Sequence, residues 1–393
     1  MTVRKLFALL LSLSAAAMFA AEAPKPEAVR TEAGTESAKA EAYQPPRLSH
    51  PDSWMMVVVP DVQEYVMRPR NHGILELMNG WIVDNSLDLK IRQVLFTGDL
   101  VYRNDQMYPA PLSNPAACRA KGFYNGLNSL CGREQWKAFS RMMERLDGYV
   151  PYILCLGNHD YGNNSSESRH TYFNDYFQSD RNPLTRRQLV CCGYNTFHRT
   201  SLENAVYEFA APPPDNRKFL VFALEFAPTD QTLAWAKKIA DEPRFADHIG
   251  IVLTHSYLAC TGKRIEQEKY VLSKQGGNPG EGIFRKLVHP AKNIRLVMCG
   301  HIAKPDVWEA GIAFSTDKNA EGKSVAQMAF NTQAIGGGFH GNGGDGWLRL
   351  LEFLPDGKTV KATTFSPLFA ISPSTRHLAW KHDERSEFTF TIE

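Results

Sequence analysis

The 393-residue chain has almost no net charge: 44 Lys and Arg stand against 42 Asp and Glu, a formal value of +2. Even that excess belongs to Arg4 and Lys5, because residues 1–21 hold no acid and their removal brings the value to zero. A basic field that would gather nucleic acid or an anionic lipid surface is therefore excluded. Long apolar runs are scarce as well. The one from Leu6 to about Ala20 follows the two cations, is rich in small residues and is short for a bilayer span. It ends in alanines rather than a stop-transfer cluster, the layout of a secretory signal peptide over residues 1–21 with cleavage within Ala17 to Ala23. The expectation is a periplasmic or secreted protein with no stable membrane span after signal removal.

Cysteines in zinc-ribbon pairs are also missing, although seven cysteines occur, at 118, 131, 155, 191, 192, 260 and 299. An oxidising compartment permits disulfides, and Cys118 with Cys131, which bracket a loop, are the best pair. Cys155 and Cys299 sit inside the apolar runs YILCL and IRLVMC, where a buried free thiol is expected. Residues 22–50 lack what a core needs. Ala, Glu, Pro, Lys, Ser and Thr dominate and Tyr43 is the only aromatic, so this stretch reads as a flexible linker ahead of one domain over 51–393. No internal repeat is present.

What the chain does have is a regular alternation. Continuous apolar runs of strand length recur at WMMVVV (54–59), QVLF (93–96), YILCL (152–156), FLVFALEF (219–226), IGIVL (249–253) and IRLVM (294–298). Such runs fit strands covered on both faces. Helical spacing lies between them, in Ile74, Leu77, Met78, Trp81 and Ile82 and again in Trp136, Phe139, Met143 and Leu146. Later the pattern turns to strands with few helices, VAQMAFNT and then WLRLLEFLPDGKTVKATTF with a turn at Pro355 to Gly357. An α/β layered domain follows.

Five of these runs end on metal-capable side chains: Asp61 and Gln63, Gly98-Asp99, Gly157-Asn158-His159-Asp160, Thr254-His255 and Gly300-His301. Loops at the carboxyl ends of strands in an α/β sheet converge on a site. Two metal ions roughly 3.5–4 Å apart need a bridging anionic oxygen, terminal nitrogen and oxygen ligands, and open positions for water and substrate. Asp61, Asp99, Asn158, His255 and His301 supply that mixture, and residues two apart in extended backbone would let Asp61 and Gln63 face one ion.

The ordered set D-x-Q, G-D, G-N-H-D, T-H and G-H resembles the calcineurin-like metallophosphoesterase superfamily from about Trp54 to the end. The resemblance implies a four-layer α/β/β/α sandwich with two mixed β-sheets and a dinuclear centre of divalent or trivalent ions (Mn, Fe or Zn). It also implies hydrolysis of a small phosphoester, a monoester or diester, by hydroxide held on the ions. It makes Asp99 the bridge, Asp61 and Gln63 ligands of the first ion, and Asn158, His255 and His301 ligands of the second. His159 would face the phosphate as general acid, with Asp160 orienting its ring.

Two positions depart from the common pattern. Gln63 stands where the superfamily has D-x-H, and Ala303 stands where it ends G-H-x-H, so the first ion loses two imidazoles. A bacterial exported subgroup with D-x-Q and a glycine-rich G-N-G-G-x-G-W-L-R-L segment (Gly341 to Leu350) is similar in this respect. Tyr102, Asn104 and His340 are candidates for further contact with metal or substrate. Tyr102 sits where purple acid phosphatases carry a tyrosinate ligand. A noncatalytic exported binding protein on this fold, and a purple-acid-type phosphatase using Tyr102, are the alternatives. The long stretch 105–131, without clear period, reads as a loop shaping the substrate pocket.

Overall fold

The computed structural model describes residues 43–106, 129–193 and 201–392. Their compact unit runs from Ala42 to Glu393. Residues 43–50, expected as linker, are docked. Trp380 donates its indole N–H to the Gln44 carbonyl (2.8 Å), Ser49 donates to Glu352, and the Tyr43 ring packs at the edge of the core. Tyr43 and Leu48 supply apolar surface that the composition average concealed.

The first sheet holds β1 (Trp54–Val59), β2 (Ile91–Phe96), β3 (Tyr152–Leu154), β11 (Leu348–Phe353), β12 (Thr359–Phe365) and β13 (Phe388–Thr391). Its order is β13-β12-β11-β1-β2-β3, parallel across β1, β2 and β3 and antiparallel elsewhere. The second sheet holds β4 (Leu189–Cys192), β5 (Ala205–Ala210), β6 (Lys218–Ala223), β7 (Ile249–Leu253), β8 (Ile294–Cys299), β9 (Ile312–Lys318) and β10 (Ser324–Phe330). Its order is β4-β5-β6-β7-β8-β10-β9, with β6, β7, β8 and β10 parallel. The mixed two-sheet architecture is the one expected.

Alternation explains why β1 is apolar throughout. Trp54, Met56 and Val58 point between the sheets and meet Phe219, Val221, Ile251 and Met298, while Met55, Val57 and Val59 point outward. The outward set is covered by α2 (His72–Asp84) and α3 (Gly132–Met143) through Met78, Ile82, Trp136 and Phe139. On the far side Leu220, Phe222, Val252 and Val297 pack against Leu233, Ala236 and Ile239 of α4 (Asp230–Ala240). Thr229 caps α4 by accepting the Thr232 N–H at 3.1 Å. Helix, sheet, sheet and helix therefore stack in four layers around three cores.

The stripe read for α2 is rotated. Leu75, Met78 and Ile82 are its buried apolar side chains, while Ile74 and Trp81 are only partly covered. Trp81 turns aside to pack on Phe365 of β12, with ring centroids 5.0 Å apart, so tertiary contact widens the face beyond the sequence period. Cys155 and Cys299 are fully buried free thiols, as expected. Cys131 is free among the described residues, and its expected partner Cys118 lies outside them, as does most of the loop 105–131. No helix among the described residues is long and apolar enough to cross a membrane.

Candidate metal centre

Six strand ends converge at one seam. Asp61, Asp99 and Asn158 leave β1, β2 and β3 of the first sheet, and His255, His301 and Asn331 leave β7, β8 and β10 of the second. The turns need glycine for different reasons. Gly98 has φ +102°, a left-handed conformation that side chains disfavour. Gly157 and Gly300 do not turn this way but make room. A Cβ on Gly157 would lie 2.1 Å from Asp99 Oδ1, and one on Gly300 would lie 2.0 Å from Asp61 Oδ1. The carboxylates occupy the space that side chains would fill.

At the centre, His255 Nε2 lies 3.3 Å from Asp99 Oδ2, 3.2 Å from Asn158 Oδ1 and 3.1 Å from His301 Nδ1. Candidate ligand atoms of Asp99, His255 and His301 all fall within 4.8 Å of one another. His255 Nδ1 faces the Thr97 carbonyl at 2.9 Å, so an N–H there donates across the seam and leaves Nε2 as the ligand atom. Asn158 donates its amide to Ser165 Oγ (2.9 Å), which turns its oxygen inward. Asp99 Oδ1 accepts the His159 backbone N–H at 2.9 Å, and Oδ2 accepts from Gln63 Nε2 at 3.0 Å.

Asp61 lies beside this group. It accepts from Thr97 Oγ1 (3.0 Å), the His301 backbone N–H (3.0 Å), Asn331 Nδ2 (2.6 Å) and Gln333 Nε2 (3.2 Å). Gln63 does not continue an extended strand as expected but starts α1 (Gln63–Met67), which carries its side chain to Asp99 rather than alongside Asp61. Asn331 and Gln333 were not anticipated. They follow the apolar VAQMAF run of β10 in the same way that the other clusters follow theirs, and that position was the available signal.

The electrostatics call for positive charge. Burial pushes the Asp61 carboxyl up to about 7, with Asp99 adding to the shift against the pull of His255. Burial opposes charge on His255, yet Asp99 and Asp61 outweigh it and push its pKa up to about 10. Burial also works against ionisation of Asp99, but His255 and His159 hold its carboxyl well below the usual range. His301, buried and facing the His255 charge, falls to about 3. Left to the protein's own groups, one imidazole proton supplies the cation that this nest demands. A second observation fits a metal ion. Gln63 Oε1 is buried at a residue only 1% exposed and has no hydrogen-bond partner, a lone pair aimed at no donor.

His159 lines the same cavity, about 670 Å³ in volume, with Asp99, Asn158, His301, Gln333, Tyr102 and Phe339 on its wall. Its Nδ1 lies 2.9 Å from the Tyr102 carbonyl and 3.0 Å from Arg103 Nη1. Arg103 itself donates to the Tyr102 and Asn164 carbonyls (2.9 and 3.3 Å), which locks the guanidinium behind the imidazole. Burial lowers the His159 pKa against the pull of Asp99, and the Arg103 charge adds to the fall.

Several expected roles change. Asp160 does not orient the His159 ring. Its oxygens accept backbone N–H groups of Gly157 (2.7 Å), Leu100 (3.1 Å) and Val101 (2.9 Å). Asn158–Asp160 is a 3₁₀ turn, in which successive side chains point roughly 120° apart, so adjacency in sequence separates the two. Asn104 is not a metal or substrate contact. Fully buried, it donates to the Gly162 and His170 carbonyls and accepts from Trp136 Nε1 and the Tyr172 N–H, leaving its amide committed. Tyr102 stacks on His159 (4.9 Å between centroids) under the Arg103 guanidinium, and burial raises its pKa. The His340 backbone closes the turn Gly338–His340, and its side chain lies outside the described residues. The glycine-rich loop around it does reach the site. Asn71 and Arg68 pin the carbonyls of Gly341 and Phe339 (both 3.1 Å), and Tyr65 accepts the Gly346 N–H at 2.9 Å.

A two-sheet α/β fold with a mixed carboxylate, amide and imidazole cluster at converging strand ends is built to hold metal. The chain matches the family model of the calcineurin-like phosphoesterases over residues 58–305, more than half its length, and it belongs to that family. The uncharacterized protein YvnB of Bacillus subtilis (strain 168) is 27% identical over 326 residues, covering 80% of this chain and 20% of YvnB. The chain thus spans about a fifth of that curated relative's length. Among solved structures, the purple acid phosphatase PPD1 from yellow lupin (Lupinus luteus) aligns at 14% identity with a TM-score of 0.42, over 88% of this chain and 55% of that one. A dimetal phosphatase from Danio rerio aligns at 10% identity with a TM-score of 0.39, over 86% of this chain and 99% of its own. These structural overlaps are loose, and the family assignment rests on the sequence match.

Proposed function

We propose that the chain is an exported phosphoesterase that hydrolyses a small phosphomonoester or phosphodiester at the seam between its sheets, with two metal ions (Mn, Fe or Zn). The observation that carries this reading is the meeting of Asp99, Asn158, His255 and His301 around one point in a cavity wall, with Asp61 and Gln63 beside it. Bound there, the ions would lower the pKa of a water and offset charge growing on the phosphoryl oxygens.

The protein's own groups do the rest. In this reading Asp99 would be shared between the ions, with Asp61 and Gln63 serving one and Asn158, His255 and His301 the other. The Thr97 carbonyl fixes the His255 tautomer across the seam. His159 has Nδ1 held by the Tyr102 carbonyl, so Nε2 is the ring nitrogen that would take a proton from water in the cavity and pass it to a leaving alkoxide. The signal-like layout of residues 1–21 supports export.

Metal analysis of the purified protein, with a panel of aryl phosphomonoesters and phosphodiesters, tests the proposal. Two equivalents of metal with turnover are expected. One equivalent or none, with no substrate consumed under any metal, would replace it with the binding-protein reading. Fractionation of the producing cells, with sequencing of the mature amino terminus, checks export.

A further inference from the structure

The two halves of the centre offer different chemistry. On the His255 side the donors are two imidazoles, the Asn158 oxygen and Asp99. On the Asp61 side no free imidazole is in reach. Among the described residues the one ring nitrogen within 4.0 Å of the Asp61 carboxylate is His255 Nδ1, at 3.9 Å, and it is committed to the Thr97 carbonyl. Carboxamides stand there instead.

The three amides that reach the two carboxylates, Asn331 and Gln333 on Asp61 and Gln63 on Asp99, are not equivalent. Asn331 Oδ1 accepts the Gln333 backbone N–H at 3.0 Å, which fixes its Nδ2 on Asp61. Turning that amide over would strand the backbone donor, so Asn331 is a positioning residue. Gln63 is free of any such constraint, because its Oε1 has no partner at all. Gln333, 5% exposed, lines the cavity and holds Asp61 only through Nε2 at 3.2 Å. Half a turn about the last torsion of either glutamine exchanges nitrogen for oxygen with little change of shape. A cation drawn by Asp61 and Asp99 would meet two carboxamide oxygens as well as two carboxylates.

We propose that the centre is chemically asymmetric. Gln333 joins Asp61, Gln63 and the shared Asp99 in an all-oxygen half that takes a hard ion such as Mg²⁺, Ca²⁺ or Mn²⁺, and His255, His301 and Asn158 form a half that takes Zn²⁺ or Fe²⁺. This rests on the reading of the seam as a metal centre and adds to it a ligand and an order of preference. Oxygen-only donor sets suit hard cations, whereas imidazole suits the later transition metals. Loss of imidazoles from the first half is then a change of metal rather than a loss of site.

The test is binding, read apart from turnover. The full chain is stripped with chelator and titrated calorimetrically with Zn²⁺, then with Mn²⁺ followed by its electron paramagnetic resonance. One tight Zn²⁺ equivalent is expected, followed by one Mn²⁺ equivalent that Mg²⁺ displaces. Gln333→Ala and Gln63→Ala should each weaken the Mn²⁺ step about 10- to 100-fold and leave the Zn²⁺ equivalent unchanged. Gln333→Glu, which adds charge without changing length, should tighten the Mn²⁺ step about tenfold and keeps the test open if an alanine variant fails to fold. Two equally tight Zn²⁺ equivalents in the unaltered protein, or a Mn²⁺ step indifferent to all three substitutions, would overturn the asymmetry. If His255→Ala leaves Zn²⁺ binding intact, the metal-centre reading itself falls, and the two failures are thereby told apart.

Discussion

Asp99 and Asp160 are both buried, at 2% and 0% exposure, and they are held in opposite ways. Asp99 collects two side chains, Gln63 and the His255 imidazole, and a single backbone N–H, that of His159. Asp160 collects only backbone N–H groups, from Leu100, Val101 and Gly157. Burial and the Asp99 charge push the Asp160 pKa upward, while its three donors favour the anion. One aspartate is thus available to an ion and the other is spent shaping the loops that carry it. A motif such as G-N-H-D records both residue types without saying which task each performs.

Substitution should separate them. Asp99→Asn is expected to cost about 10³-fold or more in kcat/KM, with a thermal melt close to that of the unaltered protein. Activity above a tenth of normal would mean that Asp99 is no bridge. Asp160→Ala strands three buried N–H groups and should lower stability by on the order of 3 kcal/mol in urea denaturation. A loss in metal content instead, at unchanged stability, would make Asp160 part of the centre and dissolve the contrast. Asn104→Ala extends the comparison to a neutral side chain in the same kind of role, with about 2 kcal/mol lost and KM unmoved. Smallest of the set, Arg103→Ala should lower kcat about tenfold through a loosened His159 while metal stoichiometry stays the same. An equal fall in Arg103→Lys would indicate that a cation alone cannot replace the guanidinium, whose Nη1 lies within reach of two carbonyls and the ring.

The central strands were legible because each is covered on both faces and so reads as an unbroken apolar run; WMMVVV, IGIVL and IRLVM all form strands where expected. Strands β4, β5, β9 and β13 did not announce themselves. LVCC is half-exposed along its whole length, and IAFSTDK and FTFT lie at the sheet margins with most of their side chains partly or fully exposed, where the burial signal weakens. At the site, strand-end position identified the residues that meet, since convergence there follows from the layered fold. Direction was not legible. The pitch of a 3₁₀ turn sends Asp160 away from His159, a helix start carries Gln63 to Asp99, and Asn104 spends its polarity on loop carbonyls. Asn331 and Gln333 were passed over because amides after a strand look like ordinary turn residues until a carboxylate is seen to need them.

The seam itself has a consequence for how this protein tolerates change. Asp61, Asp99 and Asn158 belong to one sheet and His255, His301 and Asn331 to the other, while the layer between is filled by Trp54, Met56, Val58, Val221 and Met298. Those apolar residues are spacers that set the width of the gap a cation must bridge. Thinning them draws the two rims together or lets them slide, so damage far from any ligand would surface first as a looser grip on the ion. Conversely, an ion riveting the rims would reinforce the sandwich from its edge, tying the durability of the whole fold to its cargo.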